Sequence, residues 1–212
     1  MILAVIPVTA FAENTYILAD DDTKEAIVID PGGEAERILA AIEEQGVTVK
    51  HILCTHGHMD HVGGVNVVRE ATGATFRIHD NDVEMTQRAP AAYTQQLIPD
   101  YVQPPAPDGL LKDGDEVQVG ALKVTVIETP GHTMGSLCLA VDGYLFAGDT
   151  LFNGSVGRTD FPGSSWDALL ESVRTRLFDL PEDTVVLPGH GPETSIGHEK
   201  HHNPFVGLRG NL

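Results

Sequence analysis

Three apolar runs in this chain each break off at a side chain able to bind a metal, with glycine beside it. Residues 49–54 lead into Thr55-His56-Gly57, residues 144–147 into Gly148-Asp149-Thr150, and residues 185–187 into Pro188-Gly189-His190-Gly191. Apolar runs of this length, bounded by turn residues, read as buried strands. Rigid strands that end in short Gly-rich turns can point several side chains at one place. A fourth such side chain, His132, follows the strand-like run 122–128 after a Thr129-Pro130-Gly131 turn.

The rest of the chain alternates strands and helices. Residues 2–8, 15–19 and 25–29 read as strands, and the third ends in the turn cluster Asp30-Pro31-Gly32-Gly33. Ala35, Ile38, Leu39 and Ile42 fall at i, i+3, i+4 and i+7, predicting a helix that Gly46 closes. A second helix is predicted over 62–72, ending at Gly73, and a strand over 75–78. Residues 116–119 and 122–128 read as a hairpin, and so do 136–141 and 144–147, which turn at Asp142-Gly143. Trp166, Leu169, Leu170, Val173 and Leu177 mark the clearest helix, with Ser164 and Asp167 placed as a capping box. Residues 90–107 carry five prolines and no period, and are expected to form an irregular insertion over a pocket.

At 212 residues the expectation is one layered α/β domain spanning 1–212. Hydrophobic residues make up 42%, enough for a full core. The longest apolar stretches, such as 2–8 and 137–141, fall far short of the roughly 20 residues of a membrane helix. No basic run precedes the N-terminal apolar stretch, so it does not read as a signal peptide, and a cytoplasmic protein is expected. Asp and Glu number 31 against 13 Lys and Arg, a formal charge of −18. So acidic a surface repels nucleic acid and anionic membrane, which sets both aside as partners, and it says little about substrate. Oligomeric state is not legible. Cys54 and Cys138 lie in apolar runs and are expected to be buried thiols.

The run His56-x-His58-x-Asp60-His61 puts four ligand-type side chains into six residues. On a regular strand, residues two apart would share a face and His61 would point away. In a loop turning into a helix, the four can divide between two adjacent ions. Gly57 permits the tight turn, and Gly63-Gly64 lets the next helix approach closely. A single histidine is more often an ordinary polar residue, and His51, His79, His198, His201 and His202 are read that way. Seven ligand-type residues at strand ends are not.

The order H-x-H-x-D-H, then Pro130-Gly131-His132-Thr133, Gly148-Asp149-Thr150 and Gly189-His190-Gly191, resembles the metallo-β-lactamase superfamily over essentially the whole chain. Pro7-Val8-Thr9-Ala10-Phe11, Gly157-Arg158-Thr159-Asp160-Phe161 and His202-Asn203-Pro204-Phe205 resemble its short glyoxalase II-like branch, proteins related to hydroxyacylglutathione hydrolase. That resemblance implies a four-layer αβ/βα sandwich. It implies that His56, His58 and His132 hold one divalent ion, that Asp60, His61 and His190 hold a second, and that Asp149 bridges them. Zinc suits such a nitrogen-rich set, as do iron and manganese. Two neighbouring cations lower the pKa of a shared water from about 15.7 toward 7 and polarise a substrate carbonyl, and Asp60 and Asp149 are the expected catalytic carboxylates.

The implied reaction is hydrolysis of an acyl thioester such as S-lactoylglutathione. Arg158 falls where the family has a basic residue contacting glutathione, although it can equally brace Asp160. The pattern departs from the full-length family in two places. The sequence stops about twenty residues after His190, without the helical domain that helps hold glutathione, and Gly191-Pro192 stand where the family has a tyrosine. The alternative is a persulfide dioxygenase using one iron on His56, His132 and Asp149. A lactonase, a β-lactamase or a non-catalytic metal-binding module ranks below both.

Overall fold

A computed structural model describes the backbone of residues 1–88 and 91–208, and the side chains of all these except 91–93. Strands β1 (Ile2–Val8), β2 (Glu13–Ala19), β3 (Glu25–Ile29), β4 (Thr48–Leu53), β5 (Thr75–His79) and β6 (Gly109–Leu111) form one sheet in sequence order. Its first three strands are antiparallel, and β3 to β6 run parallel. The second sheet contains β7 (Glu116–Val119), β8 (Leu122–Glu128), β9 (Leu137–Val141) and β10 (Tyr144–Gly148). After the small β11 (Leu151–Phe152) and β12 (Ser155–Val156) ribbon, β13 (Val185–Pro188) and β14 (Thr194–Ser195) complete it in the order β14-β13-β10-β9-β8-β7.

The alternation of side chains along each strand sorts them into three apolar layers. On β2, Ile17 and Ala19 face the helices α1 (Ala35–Gln45) and α3 (Val65–Thr72), where Ile38, Ile42, Val65 and Val68 meet them. Tyr16 and Leu18 face the other sheet and join Val124, Leu139 and Phe146 there. On β10, Phe146 points into that middle layer, while Leu145 and Ala147 pack on Leu169, Val173 and Leu177. The fold is therefore the four-layer αβ/βα sandwich expected. Tyr16 and Phe146 meet edge to face across the two sheets, with ring centroids 5.1 Å apart.

Several expectations need correction. The helix expected over 62–72 is two: α2 (Met59–Val62) and α3, broken at Gly63-Gly64. Gly64 N–H donates to Pro31 O at 2.7 Å, and a Cβ on Gly63 would sit 2.5 Å from Gly32 O, so backbone crosses backbone here. The segment 90–107 is not wholly irregular. It holds α5 (Ala91–Leu97), a helix too short for its period to show, while residue 90 lies outside the described residues. α4 (Asp80–Arg88) is too polar to announce itself. The predicted helix 166–177 is α6 (Trp166–Ser172), which widens into a π turn at Val173–Leu177, and its cap is Ser165, which accepts from Ala168 N–H, rather than Ser164. The hairpin at Asp142-Gly143 forms as expected, with φ of 45° and 82°. Cys54 and Cys138 are buried and free. Among the described residues no helix is long and apolar enough to cross a membrane.

Phe146 is 1% exposed at the centre of the middle layer. Phe146→Ala should cost about 3–5 kcal/mol of stability, read by chemical denaturation. A loss below about 1 kcal/mol would show that the two sheets do not depend on this contact.

Candidate metal centre

The carboxyl ends of the parallel strands all open at one edge of the sandwich. The loop after β4 carries His56 and His58, and α2 carries Asp60 and His61. Asp149 follows β10, and His190 follows β13, which runs parallel to β10. His132 lies in the connection between β8 and β9. Leu137 N–H donates to Thr55 O at 2.8 Å, so the two sheets are joined by backbone beside the site.

These seven side chains converge. His56 Nε2 lies 3.0 Å from His58 Nδ1, and His132 Nε2 lies 2.9 Å from the same atom. Asp60, His61 and His190 form a second group whose ligand atoms all lie within 4.8 Å of one another. Asp149 stands between the groups. Its Oδ2 is 3.5 Å from His132 Nε2, and its Oδ1 is 3.4 Å from His61 Nε2 and 3.7 Å from His190 Nε2. His61 Nε2 and Asp149 Oδ1 are buried without a hydrogen-bond partner among the described residues. Such orphaned atoms are costly unless something binds them. Their chemistry, imidazole nitrogen and carboxylate oxygen, fits divalent cations.

The far ring nitrogen of most of these histidines is held, which fixes ring orientation. His132 Nδ1 pairs with Arg158 O at 2.8 Å, His190 Nδ1 with Phe11 O at 3.1 Å, and His56 Nδ1 with Thr55 Oγ1 at 3.1 Å. His61 Nδ1 pairs with Asp30 Oδ2 at 3.0 Å. Asp30 also accepts from Thr55 N–H at 2.7 Å and Thr55 Oγ1–H at 2.6 Å. Its backbone is left-handed, φ 50°, which turns the chain at the end of β3 so that the carboxylate faces β4. Asp82, on α4, accepts from Gly57 N–H, Gly135 N–H and Thr133 Oγ1–H at 2.9, 2.9 and 2.7 Å, and so joins the two loops that carry His58 and His132. Asn14 Nδ2 donates to Pro188 O and Gly191 O at 3.0 and 2.9 Å, gripping the His190 turn from the opposite sheet.

Sequence reasoning missed Asp30, Asp82 and Asn14. Asp30 carries a signal, since it follows an apolar strand as Asp149 does, but in the cluster Asp30-Pro31-Gly32-Gly33 the turn chemistry masks it. Asp82 and Asn14 carried none. The remaining histidines stay away from the site. His51 bonds Thr75, His79 bonds Glu128, His201 faces Glu182, and His198 stacks on His202.

Burial drives His56 well below the usual imidazole range, aided by its histidine neighbours, and lowers His58 to about 4 and His132 in the same direction. These three rings are neutral, the form that binds metal. Burial also pushes His61 down, but the Asp149 and Asp30 carboxylates outweigh it and hold His61 well above its usual value. Burial would raise Asp60, yet the His190 contact and the His61 charge keep it below the usual carboxylate range. Asp149 is likewise held low, chiefly by His61, against its burial.

A cavity of about 960 Å³ opens onto His58, Asp60, His132, Asp149 and His190. Arg158 lines it. Its guanidinium forks onto Asp160 at 2.6 and 2.7 Å and lies 4.1 Å over the Phe161 ring, so the bracing role is present beside the cavity-facing one.

A sandwich of this kind, with imidazoles and carboxylates gathered at its edge, defines a metallo-hydrolase. A family model of the metallo-β-lactamase superfamily matches residues 8–190, and the chain belongs to that superfamily. It is 36% identical to the hydroxyacylglutathione hydrolase GloC of Haemophilus influenzae, over 97% of this chain and 98% of that one. The crystal structure of the BLEG-1 B3 metallo-β-lactamase is 36% identical, with a TM-score of 0.88, over 97% of this chain and 99% of the other. That of TTHA1623 in a di-iron-bound form is 38% identical, with a TM-score of 0.84, over 95% and 100%.

Asp30→Asn keeps the side chain's shape but puts an amide where Thr55 and His61 need acceptors. The variant should stay folded and bind divalent metal about 10- to 100-fold more weakly, read by competition titration with a chelator. Unchanged affinity would confine Asp30 to a scaffolding role.

Proposed function

We propose that this chain is a dinuclear metal-dependent hydrolase of acyl thioesters, glyoxalase II-like, with S-lactoylglutathione or a related thioester as substrate. The observation that carries it is the placement of Asp149, with one oxygen toward each histidine group. In this reading His56, His58 and His132 hold the first ion, Asp60, His61 and His190 the second, and Asp149 bridges. The ions, zinc in the first instance and otherwise iron or manganese, supply activated water at neutral pH and polarise the substrate carbonyl.

The chain's own groups do the rest. Asp60 is deprotonated and 3.5 Å from His190 Nε2, so it is an acceptor that can orient the attacking water as well as bind. Hydrolysis forms a C–O bond to the acyl carbon and breaks its C–S bond, releasing a carboxylic acid and a thiol. The thiolate, with a pKa near 8.5, leaves without a strong general acid. An amide nitrogen needs one. The carboxyl groups on the cavity wall, Asp60 and Asp149, are both ligands in this reading, so neither is free to protonate a departing amide nitrogen, which fits a thioester.

Metal-loaded protein should carry two ions per chain and hydrolyse S-lactoylglutathione or a related acyl thioester, with loss of activity on chelation. Asp149→Ala should lose metal and nearly all turnover, because two cations would then repel across a short gap without the carboxylate between them. Two ions and normal turnover in that variant would disprove the bridge. One iron per chain, with oxygen consumed in the presence of glutathione persulfide and no thioester cleaved, would establish the dioxygenase instead.

Arg158 can hold an anionic group of the thiol carrier through a charge-assisted contact. Asp160 takes the Nε and Nη2 side of the guanidinium, which leaves Nη1 to meet an anionic group. Arg158→Ala should raise KM about tenfold with kcat little changed. Metal content should survive, since His132 is held by the backbone oxygen of residue 158 and not by its side chain. Unaltered kinetics on anionic thioesters would remove Arg158 from substrate binding.

A further inference from the structure

His58 differs from the other histidines of the centre. The far ring nitrogens of His56, His61, His132 and His190 are each held by a hydrogen bond. His58 turns Nδ1 toward His56 and His132, and among the described residues no hydrogen bond or ion pair reaches its Nε2. Its ring meets only rings there, those of His56, His132 and Phe161. Where His58 sits is therefore decided by its backbone, and the peptide N–H just before it, that of Gly57, is fixed by Asp82 Oδ2 at 2.9 Å.

Asp82 is wholly buried. The same Oδ2 accepts from Thr133 Oγ1–H at 2.7 Å, and Oδ1 accepts from Gly135 N–H at 2.9 Å. The fit is tight on both sides. A Cβ on Gly57 would lie 2.9 Å from Asp82 O, and one on Gly135 would lie 2.7 Å from Asp82 Cγ. One carboxyl group thus spans from the residue before His58 to the residue after His132, the pair whose ring nitrogens lie 2.9 Å apart. The second group is held by other means. Asp30 grips His61, Gly64 N–H to Pro31 O anchors the chain beyond α2, and Phe11 O holds His190. None of these bonds runs through Asp82 or α4.

We propose that Asp82 is a positioning residue for the ion held by His56, His58 and His132, and that it sets the affinity of this group without setting that of the other. This rests on the two-ion reading and deepens it. A pair of ligands already gathered by the protein costs the ion nothing to gather. Without the Asp82 bonds, His58 and His132 have to be brought together by the ion itself, and the cost appears as weaker binding at that group alone.

The test uses Co2+ alone as the probe, with affinity read by chelator competition on the full chain. Two backgrounds separate the groups: His190→Ala leaves the first, and His58→Ala leaves the second. Asp82→Asn keeps the side chain's shape but turns an amide N–H toward at least one of its three donors. In the His190→Ala background it should weaken Co2+ binding about 10- to 100-fold. In the His58→Ala background it should change binding by less than about twofold. Thr133→Val removes a single bond and spares Asp82, and should weaken the first group about threefold or more. Losses of equal size in both backgrounds would make Asp82 a general scaffold residue and overturn the proposal, as would unchanged binding in both. Should Asp82→Asn fail to fold, Thr133→Val decides, and unaltered binding at the first group in that variant overturns the proposal. If the unmodified chain takes one Co2+ only, the two-ion reading fails, while weakening of that one ion by Asp82→Asn and Thr133→Val still supports the role of Asp82.

Discussion

The carboxylate of Asp30 is the contact on which the site's geometry depends. It accepts from Thr55 N–H, Thr55 Oγ1–H and His61 Nδ1, so a single residue at the end of β3 fixes the loop after β4 and the helix after that loop. All three partners are buried, which makes each bond strong and its loss expensive. The close packing of glycine backbone nearby follows from the same constraint. A Cβ on Gly32 would lie 1.8 Å from Asp60 O, so the turn that positions Asp30 also touches the helix that carries Asp60 and His61. No larger residue fits without moving α2.

Neither sheet builds the site alone. His56, His58, Asp60 and His61 come from the first, and His132, Asp149 and His190 from the second. The seam between them is polar at this edge, where Asn14 and the Tyr16 hydroxyl reach across to the β13 turn, with Tyr16 OH donating to Pro188 O at 2.7 Å, and again where Glu25 and Asp20 accept from Gly120 N–H and Ala121 N–H. Below that line the contact is Tyr16 against Phe146 and the aliphatic layer around them. β2 does both jobs by period. Its inward ring packs in the core, while its start, Glu13-Asn14-Thr15, is wholly buried and polar. Each histidine group draws on both sheets, so the thickness of the hydrophobic layer between them governs how closely the members of each group approach.

That division explains what could be read in advance. Strands β3 and β10, apolar on nearly every residue, are legible, as is the apolar end of β4, and so are His56 and Asp149, which follow β4 and β10. β2 begins at Glu13, two residues before the start its sequence suggests, because Glu13 and Asn14 look like loop residues until their partners across the chain are known. Asp82 sits on a polar helix with no period, and its three bonds go to residues 25 to 53 positions away. Such contacts leave no local trace, because any surface aspartate looks the same in sequence. The break at Gly63-Gly64 was half legible: two glycines promised close approach, but that they would interrupt the helix depends on where Pro31 O lies.

The electrostatics of the site explain why it is built from so many buried groups. Burial keeps His56, His58 and His132 neutral, and pushes Glu13, beside His61, well above the usual carboxylate range. Yet Asp60 and Asp149 stay ionised in the same volume, because His61 and His190 are drawn toward their charged forms. The arrangement therefore already stores the charge pattern of a cation beside two carboxylates, with protons on histidines in the cation's place. A divalent ion bound by these residues would take the place of those protons, and its affinity would couple to both pH and folding. The same pattern limits the chemistry. With Asp60 and Asp149 both committed as ligands in the proposed reading, no carboxyl group on the wall is left over to protonate a poor leaving group, which is why that reading takes a departing sulfur over a departing nitrogen.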